Sequence, residues 1–175
     1  MHQLLLMRHA KASRDDPSLN DHARPLTAKG RRAAHAMRHA MRELGLDAPD
    51  LVLVSSARRT LETLEALEPW DETPLVERVD NLYMASAGQI LAILNGVAET
   101  VRSVLVIGHN PGIHELATGM AGQVGGSGMA RRLADGFPTA ALAEFVIPGS
   151  WSQMRPGVGR LLRFLCPKDL PELAS

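Results

Sequence analysis

Short apolar runs alternate along the chain with stretches in which apolar residues recur every third or fourth position. The first pattern suits strands covered on both faces, and the second suits helices packed against them. Gln3–Met7 reads as the first strand. A polar loop follows from Lys11 to Pro25. Thr27 stands where it can cap a helix with the stripe Ala33, Ala36, Met37, Ala40, Met41 and Leu44, ended by Gly45. Leu51–Val54 is the second strand. The helix after it carries Leu61, Leu64 and Leu67 and stops before Pro69. Pro74-Leu75-Val76 reads as a short strand. Ser86 is placed to cap a helix with Ile90, Leu91, Leu94 and Val97. Val104–Ile107 is the fourth strand, followed by a helix beginning at Asn110 and packing through Ile113, Leu116, Ala117 and Met120.

The segment from Gly119 to Gly128 holds five glycines and reads as a flexible loop. It is not a phosphate cradle, because neither GxxxxGK[ST] nor GxGxxG occurs in the chain. Beyond it, Ala141–Ile147 and Gly159–Cys166 read as strands joined by the turn-rich Pro148-Gly149-Ser150, with no strong helix between them. The expected fold class is α/β: a three-layer α/β/α sandwich with a mainly parallel sheet and at least one antiparallel strand. Residues 1–175 show no repeat or interdomain linker and are expected to form a single domain.

Composition narrows the chemistry. The 175 residues are 45% hydrophobic and carry zero formal net charge, which argues against a nucleic-acid partner. Cys166 is the only cysteine, so there is no internal disulfide and no cysteine metal cluster, as in a reducing compartment. No basic n-region with a long apolar stretch opens the chain, and no apolar run nears the ~20 residues that span a bilayer. The expectation is a cytoplasmic protein with no membrane partner. Arginine outnumbers lysine sixteen to three, a ratio that genomic base composition can produce as readily as anion binding.

Ligands of open α/β sheets gather beyond the carboxyl ends of parallel strands. Arg8 and His9 follow the first strand, Arg58 and Arg59 the second, and His109 and Asn110 the fourth. Arginine offers a planar fork of donors matched to phosphate oxygens. Asn110 as N-cap and Pro111 as first helical residue would point a positive helix end at the same place. Cys166 lacks a basic cluster to activate it, and Ser55 and Ser56 lack a nucleophile elbow. A neutral imidazole can attack phosphorus without a separate base, and of the two strand-end histidines His9 is the one beside an arginine. Lys11 is a further candidate for phosphate contact, though a solvated loop lysine is equally consistent. Arg58 can pair with Glu62 one helical turn on, and the spacing alone does not choose between Arg58 and Arg59.

Blander roles fit other residues better. His35 and His39, spaced i,i+4, lie on the polar side of a helix without a third ligand. His114-Glu115 does not complete HExxH. Arg131-Arg132 reads as a solvated pair. No metal site and no cofactor are expected.

Several stretches resemble the histidine phosphatase superfamily, also called phosphoglycerate-mutase-like. Within it they resemble the short bacterial phosphohistidine phosphatases of the SixA type. They are Leu6–Ala12, Arg24-Pro25-Leu26-Thr27 with Gly30, Ser55 through Thr63, Asn81-Leu82-Tyr83, Gly108-His109-Asn110-Pro111 and Pro138-Thr139-Ala140. The resemblance implies that His9 is the phosphorylated residue and that Arg8, Arg59 and His109 complete a phosphate pocket; its place at a strand end adds Asn110 as a substrate-binding candidate. It selects Arg59 by aligning Ser55–Thr63 with the family's second-arginine motif. Ala10, Ser56 and Thr60 depart from the wider family's usual glycine, proline and alanine. No residue cleanly matches the proton donor of the larger members; Glu77 and Asp80 are candidates.

An imidazole leaves phosphorus with less help from an acid than an alkoxide does. The expected activity is therefore metal-independent removal of phosphate from protein phosphohistidine. The alternatives are a phosphatase for a small phosphomonoester or nucleotide, and a non-catalytic phosphate- or phosphohistidine-binding module. The expected partner is a phosphorylated protein or a small phosphorylated metabolite. A mutase is less well supported, since no long capping insertion is evident.

Overall fold

In a computed structural model of the chain, residues 1–122 and 128–173 are described. Six strands form one sheet in the order β3-β2-β4-β1-β5-β6. They are β1 (His2–Arg8), β2 (Leu51–Ser55), β3 (Leu75–Val79), β4 (Ser103–Gly108), β5 (Leu142–Ile147) and β6 (Arg160–Leu165). β1 to β4 run parallel. β5 runs against β1, and β6 runs against β5, so β5 is the one reversed strand.

The helices are α1 (Ala28–Glu43), α2 (Arg58–Leu67), α3 (Ala87–Asn95), α4 (Gly112–Ala121) and α5 (Gly128–Asp135). Side chains alternate across the pleat, and the two faces bury separate cores. Leu5, Met7, Val52, Val54, Leu105 and Ile107 pack with Met37 and Met41 of α1 and Leu64 and Leu67 of α2. Leu4, Leu6, Leu53, Val104 and Val106 pack with Ile90, Leu94, Ile113, Leu116, Met120 and Leu133 of α3, α4 and α5. These two layers of helix on one sheet make the three-layer α/β/α sandwich. The central strands are apolar throughout because both faces are covered. β3 lies at the edge, where Leu75 and Val76 remain exposed. No helix among the described residues is long and apolar enough to cross a membrane.

Local signals account for most helix ends. Thr27 caps α1 by accepting from Gly30 N–H at 2.9 Å, and Ser86 and Gln89 form a reciprocal capping box at α3. Gly45 follows α1 with φ +71°, in the left-handed region.

Two expectations need correction. Asn110 does not cap α4, which begins at Gly112 without a side-chain cap; the Asn110 amide instead donates to the Phe137 carbonyl at 2.9 Å. Gly112, the first residue of that helix, is tightly seated, since a Cβ on it would collide with the Ala85 carbonyl oxygen. The glycine-rich segment is also less loop-like than its composition suggests. Gly119 to Ala121 belong to α4, Gly128 opens α5, and residues 123–127 lie outside the described residues. The sequence pattern does not predict α5. It buries only Leu133, so its apolar stripe is too narrow to read from sequence.

Gly30 fixes the seating of α1. The Lys11 carbonyl accepts from the Thr27 backbone N–H at 2.9 Å and from its hydroxyl at 3.3 Å. A Cβ at position 30 would fall inside that same carbonyl. Gly30→Ala should therefore lower unfolding free energy by ~1–3 kcal/mol despite alanine's better helix propensity, as measured by urea denaturation. Unchanged or raised stability would mean the approach is not a constraint.

Candidate active site

The order of the strands creates the site. After β1 the chain crosses to β2 by way of α1 on one face, and after β4 it goes to β5 by way of α4 and α5 on the other. β1 and β4 are adjacent, so their carboxyl ends flank a switch point where departing connections leave a crevice. Arg8 pairs with Gly108 in register. The next residues, His9 and His109, therefore stand together, with ring centroids 5.2 Å apart. The His9 backbone N–H donates to the Gly108 carbonyl at 3.1 Å, extending the ladder one step past the strand.

A cavity of about 410 Å³ opens there, lined by Arg8, His9, Lys11, Asp21, Arg24, Arg59, His109 and Asn110 among others. The structure thus brings Arg8, His9, Arg59, His109, Asn110 and Lys11 to one place. Arg59 is buried in the cavity wall, whereas Arg58 is exposed and donates to Glu62 at 2.8 Å. Glu77 and Asp80 do not line the cavity. Both are exposed, on edge strand β3 and in the turn after it.

His9 Nδ1 lies 2.7 Å from the Ala10 carbonyl oxygen. A carbonyl can only accept, so Nδ1 holds the proton and Nε2 keeps its lone pair. Burial lowers the His9 pKa to about 4, and Arg59, Arg8 and Arg24 add to the effect against the opposing Ala10 hydrogen bond. The imidazole is consequently neutral at pH 7. His109 is lowered to about 3, first by burial and then by His9 and Arg59. Its Nε2 meets the Ser55 hydroxyl at 2.7 Å, and its buried Nδ1 has no partner.

The cations are held from behind. Arg8 and Asn110 both donate to the Phe137 carbonyl, at 3.1 and 2.9 Å. Arg8 Nε and Asn110 Oδ1 are buried without partners. Arg59 donates to the Asp21 carbonyl at 2.7 Å and to its carboxylate at 3.1 Å. That carboxylate also accepts from Tyr83 at 2.5 Å and Arg24 at 2.9 Å. The Tyr83 hydrogen bond is the largest cause holding the Asp21 pKa well below the usual carboxylate range. Asp21 is therefore ionised throughout the neutral range.

Thr63 joins two parts of the site. Its buried hydroxyl accepts from Ala10 N–H at 2.9 Å and donates to the Arg59 carbonyl at 2.7 Å. The loop that carries His9 is thereby tied to the helix that carries Arg59.

Sequence reasoning gave no role to Asp21, and it placed Arg24, Tyr83 and Thr63 only within matching stretches, without a function. Asp21 and Tyr83 are far apart in the chain and no spacing links them. Burial pushes the Cys166 thiol pKa up, in keeping with its dismissal as a nucleophile.

A family model described as the histidine phosphatase superfamily (branch 1) matches residues 4–82. A solved structure from Nakamurella multipartitia, assigned as a SixA phosphohistidine phosphatase, is 32% identical with a TM-score of 0.83, over 95% of this chain and 96% of that one. The chain belongs to the histidine phosphatase superfamily and is of the SixA type. A second structure so assigned, from Agrobacterium tumefaciens, is 28% identical with a TM-score of 0.79, over 95% and 98% of the two chains. An uncharacterized Mycobacterium tuberculosis protein is 34% identical over 163 residues, 93% of this chain and all of its own length. The chain is accordingly a hydrolase, a phosphatase of the histidine type.

Two measurements test this geometry. Both imidazoles are neutral when folded and bind protons at higher pH when unfolded, near 6.5. The unfolded state thus takes up protons as pH falls from 6.5 toward 4, and stability should drop in that window by on the order of 1 kcal/mol per pH unit per histidine. NMR titration should show the His9 ring changing near pH 4. A midpoint near 6.5 would contradict its burial among arginines. Separately, Thr63→Val should cost ~1–3 kcal/mol by leaving the Ala10 N–H unpaired and should lower kcat; wild-type values of both would show that the hydroxyl bridge is idle.

Proposed function

We propose that the chain hydrolyses phosphohistidine on a protein substrate, through a phosphohistidine intermediate on its own His9. The observation that carries this reading is the locked tautomer. The Ala10 carbonyl holds the proton on Nδ1, so Nε2 keeps its lone pair on a ring that lines a pocket rich in guanidinium groups.

The proposed steps follow from those groups. The Nε2 lone pair of His9 attacks phosphorus as the P–N bond of the substrate breaks. Its electron pair returns to the departing imidazole. Arg8, Arg59 and His109 stabilise the equatorial oxygens, where charge is spread in the transition state. The phosphorylated His9 ring is cationic, and the Ala10 carbonyl stabilises its Nδ1–H. Water then attacks phosphorus, the P–Nε2 bond breaks with its electrons returning to His9, and the water's proton leaves with inorganic phosphate. Lys11 and Asn110 lie where they would help hold the substrate. The arginines, held by the Phe137 carbonyl and Asp21, need little reorganisation to bind an oxyanion.

The choice of substrate rests on a missing acid. Asp21 is the only carboxylate among the described residues that line the cavity. Its three donors keep it ionised, so it is poorly suited to protonate an alkoxide. An imidazole leaving group tolerates that lack. Likeness to a protein histidine phosphatase SixA solved with tungstate, at 26% identity and a TM-score of 0.76, supports the same reading.

Incubation with a radiolabelled phosphohistidine peptide in chelator should release phosphate and leave an acid-labile, base-stable label on the protein. His9→Ala should abolish the label, and Arg59→Ala should lower kcat/KM by about 10²-fold or more. Undiminished labelling of His9→Ala would overturn the nucleophile. Rapid turnover of simple phosphate esters with none of phosphohistidine would overturn the substrate.

A further inference from the structure

All three lysines of the chain line a second cavity. Lys11 lies in the loop after β1, Lys29 in the first turn of α1, and Lys168 in the 3-10 turn Pro167–Asp169. Arg32, three residues on from Lys29, joins them. This cavity, also about 410 Å³, has Lys11 and Thr139 in common with the catalytic one, so the two adjoin.

The cluster is not general basicity, since the chain has no net charge. No carboxylate lines the cavity among the described residues. None of the four cations has an ion-pair partner among them either, whereas seven arginines elsewhere do. Neighbouring Arg31 shows the contrast by pairing with Glu62 at 3.0 Å. Four unpaired like charges around one hollow repel each other, and an anion bound among them would relieve that repulsion. The backbone holds part of the arrangement in place. Gly30 and Thr27 seat the first turn of α1 on the Lys11 carbonyl, so Lys29 is set close to the loop that leaves His9.

We infer that this cavity binds a second anionic group, a phosphate or carboxylate, carried by the same substrate whose phosphoryl group sits against His9. The inference rests on the reading of the His9 pocket as the phosphoryl site. Lysine is well matched to such a group, because its flexible point charge accepts either anion without demanding a planar, two-pronged partner. A carboxylate near the phosphohistidine of an acidic protein segment would supply that group, and so would a second phosphate on a small molecule.

A direct test compares two pairs of substrates on the wild type and on the double variant Lys29→Gln/Lys168→Gln, neither of which lines the catalytic cavity. One pair is a phosphohistidine peptide flanked by glutamates and the same peptide flanked by glutamines. The other is a sugar bisphosphate and its monophosphate. para-Nitrophenyl phosphate, with one anionic group, is the control. The wild type should show a lower KM for the doubly anionic member of at least one pair. The variant should raise that KM about tenfold, hold kcat within about twofold, and leave the control unchanged.

The pair that discriminates identifies the source of the second anion. No preference in either pair, or equal loss on every substrate including the control, would overturn the inference. Turnover confined to the sugar phosphates would defeat phosphohistidine as substrate, while a preference for the bisphosphate would still uphold the second subsite.

Discussion

The register between β1 and β4 is the constraint on which the site depends. With Arg8 set opposite Gly108, each strand delivers a histidine one residue past its end, and the two imidazoles meet without a long loop to place them. The register is fixed in turn by burial. A slip of one residue would exchange Leu4 and Leu6 for Leu5 and Met7 between two separate cores. Precision in the active site is thus inherited from the packing of leucines well away from the chemistry. The crevice exists because the connections after β1 and β4 depart to opposite faces.

Electrostatics then gives the site its character. Arginines, two imidazoles and a single carboxylate share a small volume, and burial raises the cost of every proton added to a ring. Both histidines stay neutral for that reason. In a nucleophile, neutrality means an available lone pair. Asp21 offsets part of the positive charge and holds Arg59 and Arg24 in place, while Tyr83 keeps it ionised. The same carboxylate is thereby a poor proton donor, and the proposed preference for an imidazole leaving group rests on that.

Much of this was readable in the chain. The apolar runs marked the central strands, since residues covered on both faces must be apolar wherever they fall. Thr27 and Ser86 marked helix starts because capping is local chemistry. The pairing of Arg58 with Glu62 followed from helical spacing alone. Other features were not legible. Asn110 carries the signature of an N-cap but is drawn to the Phe137 carbonyl, a partner 27 residues away. Helix α5 is only eight residues long and buries a single leucine, too little to stand out as a helix in the sequence. The glutamate and aspartate considered as acids, Glu77 and Asp80, lie on the exposed edge, while the carboxylate that reaches the pocket comes from the polar loop before α1.

The sequence alone determined the strands and most of the helices, the layered class and the strand ends at which chemistry would gather, because periodicity, capping and strand burial are properties of neighbouring residues. Tertiary structure decided which tautomer His9 adopts, that Asp21 engages Arg59, Arg24 and Tyr83, and that three scattered lysines surround one hollow. Those outcomes depend on distances between segments remote in the chain. Hydrogen bonds and Coulomb interactions act over a few ångströms of space, and no local pattern encodes which distant groups will come within that range.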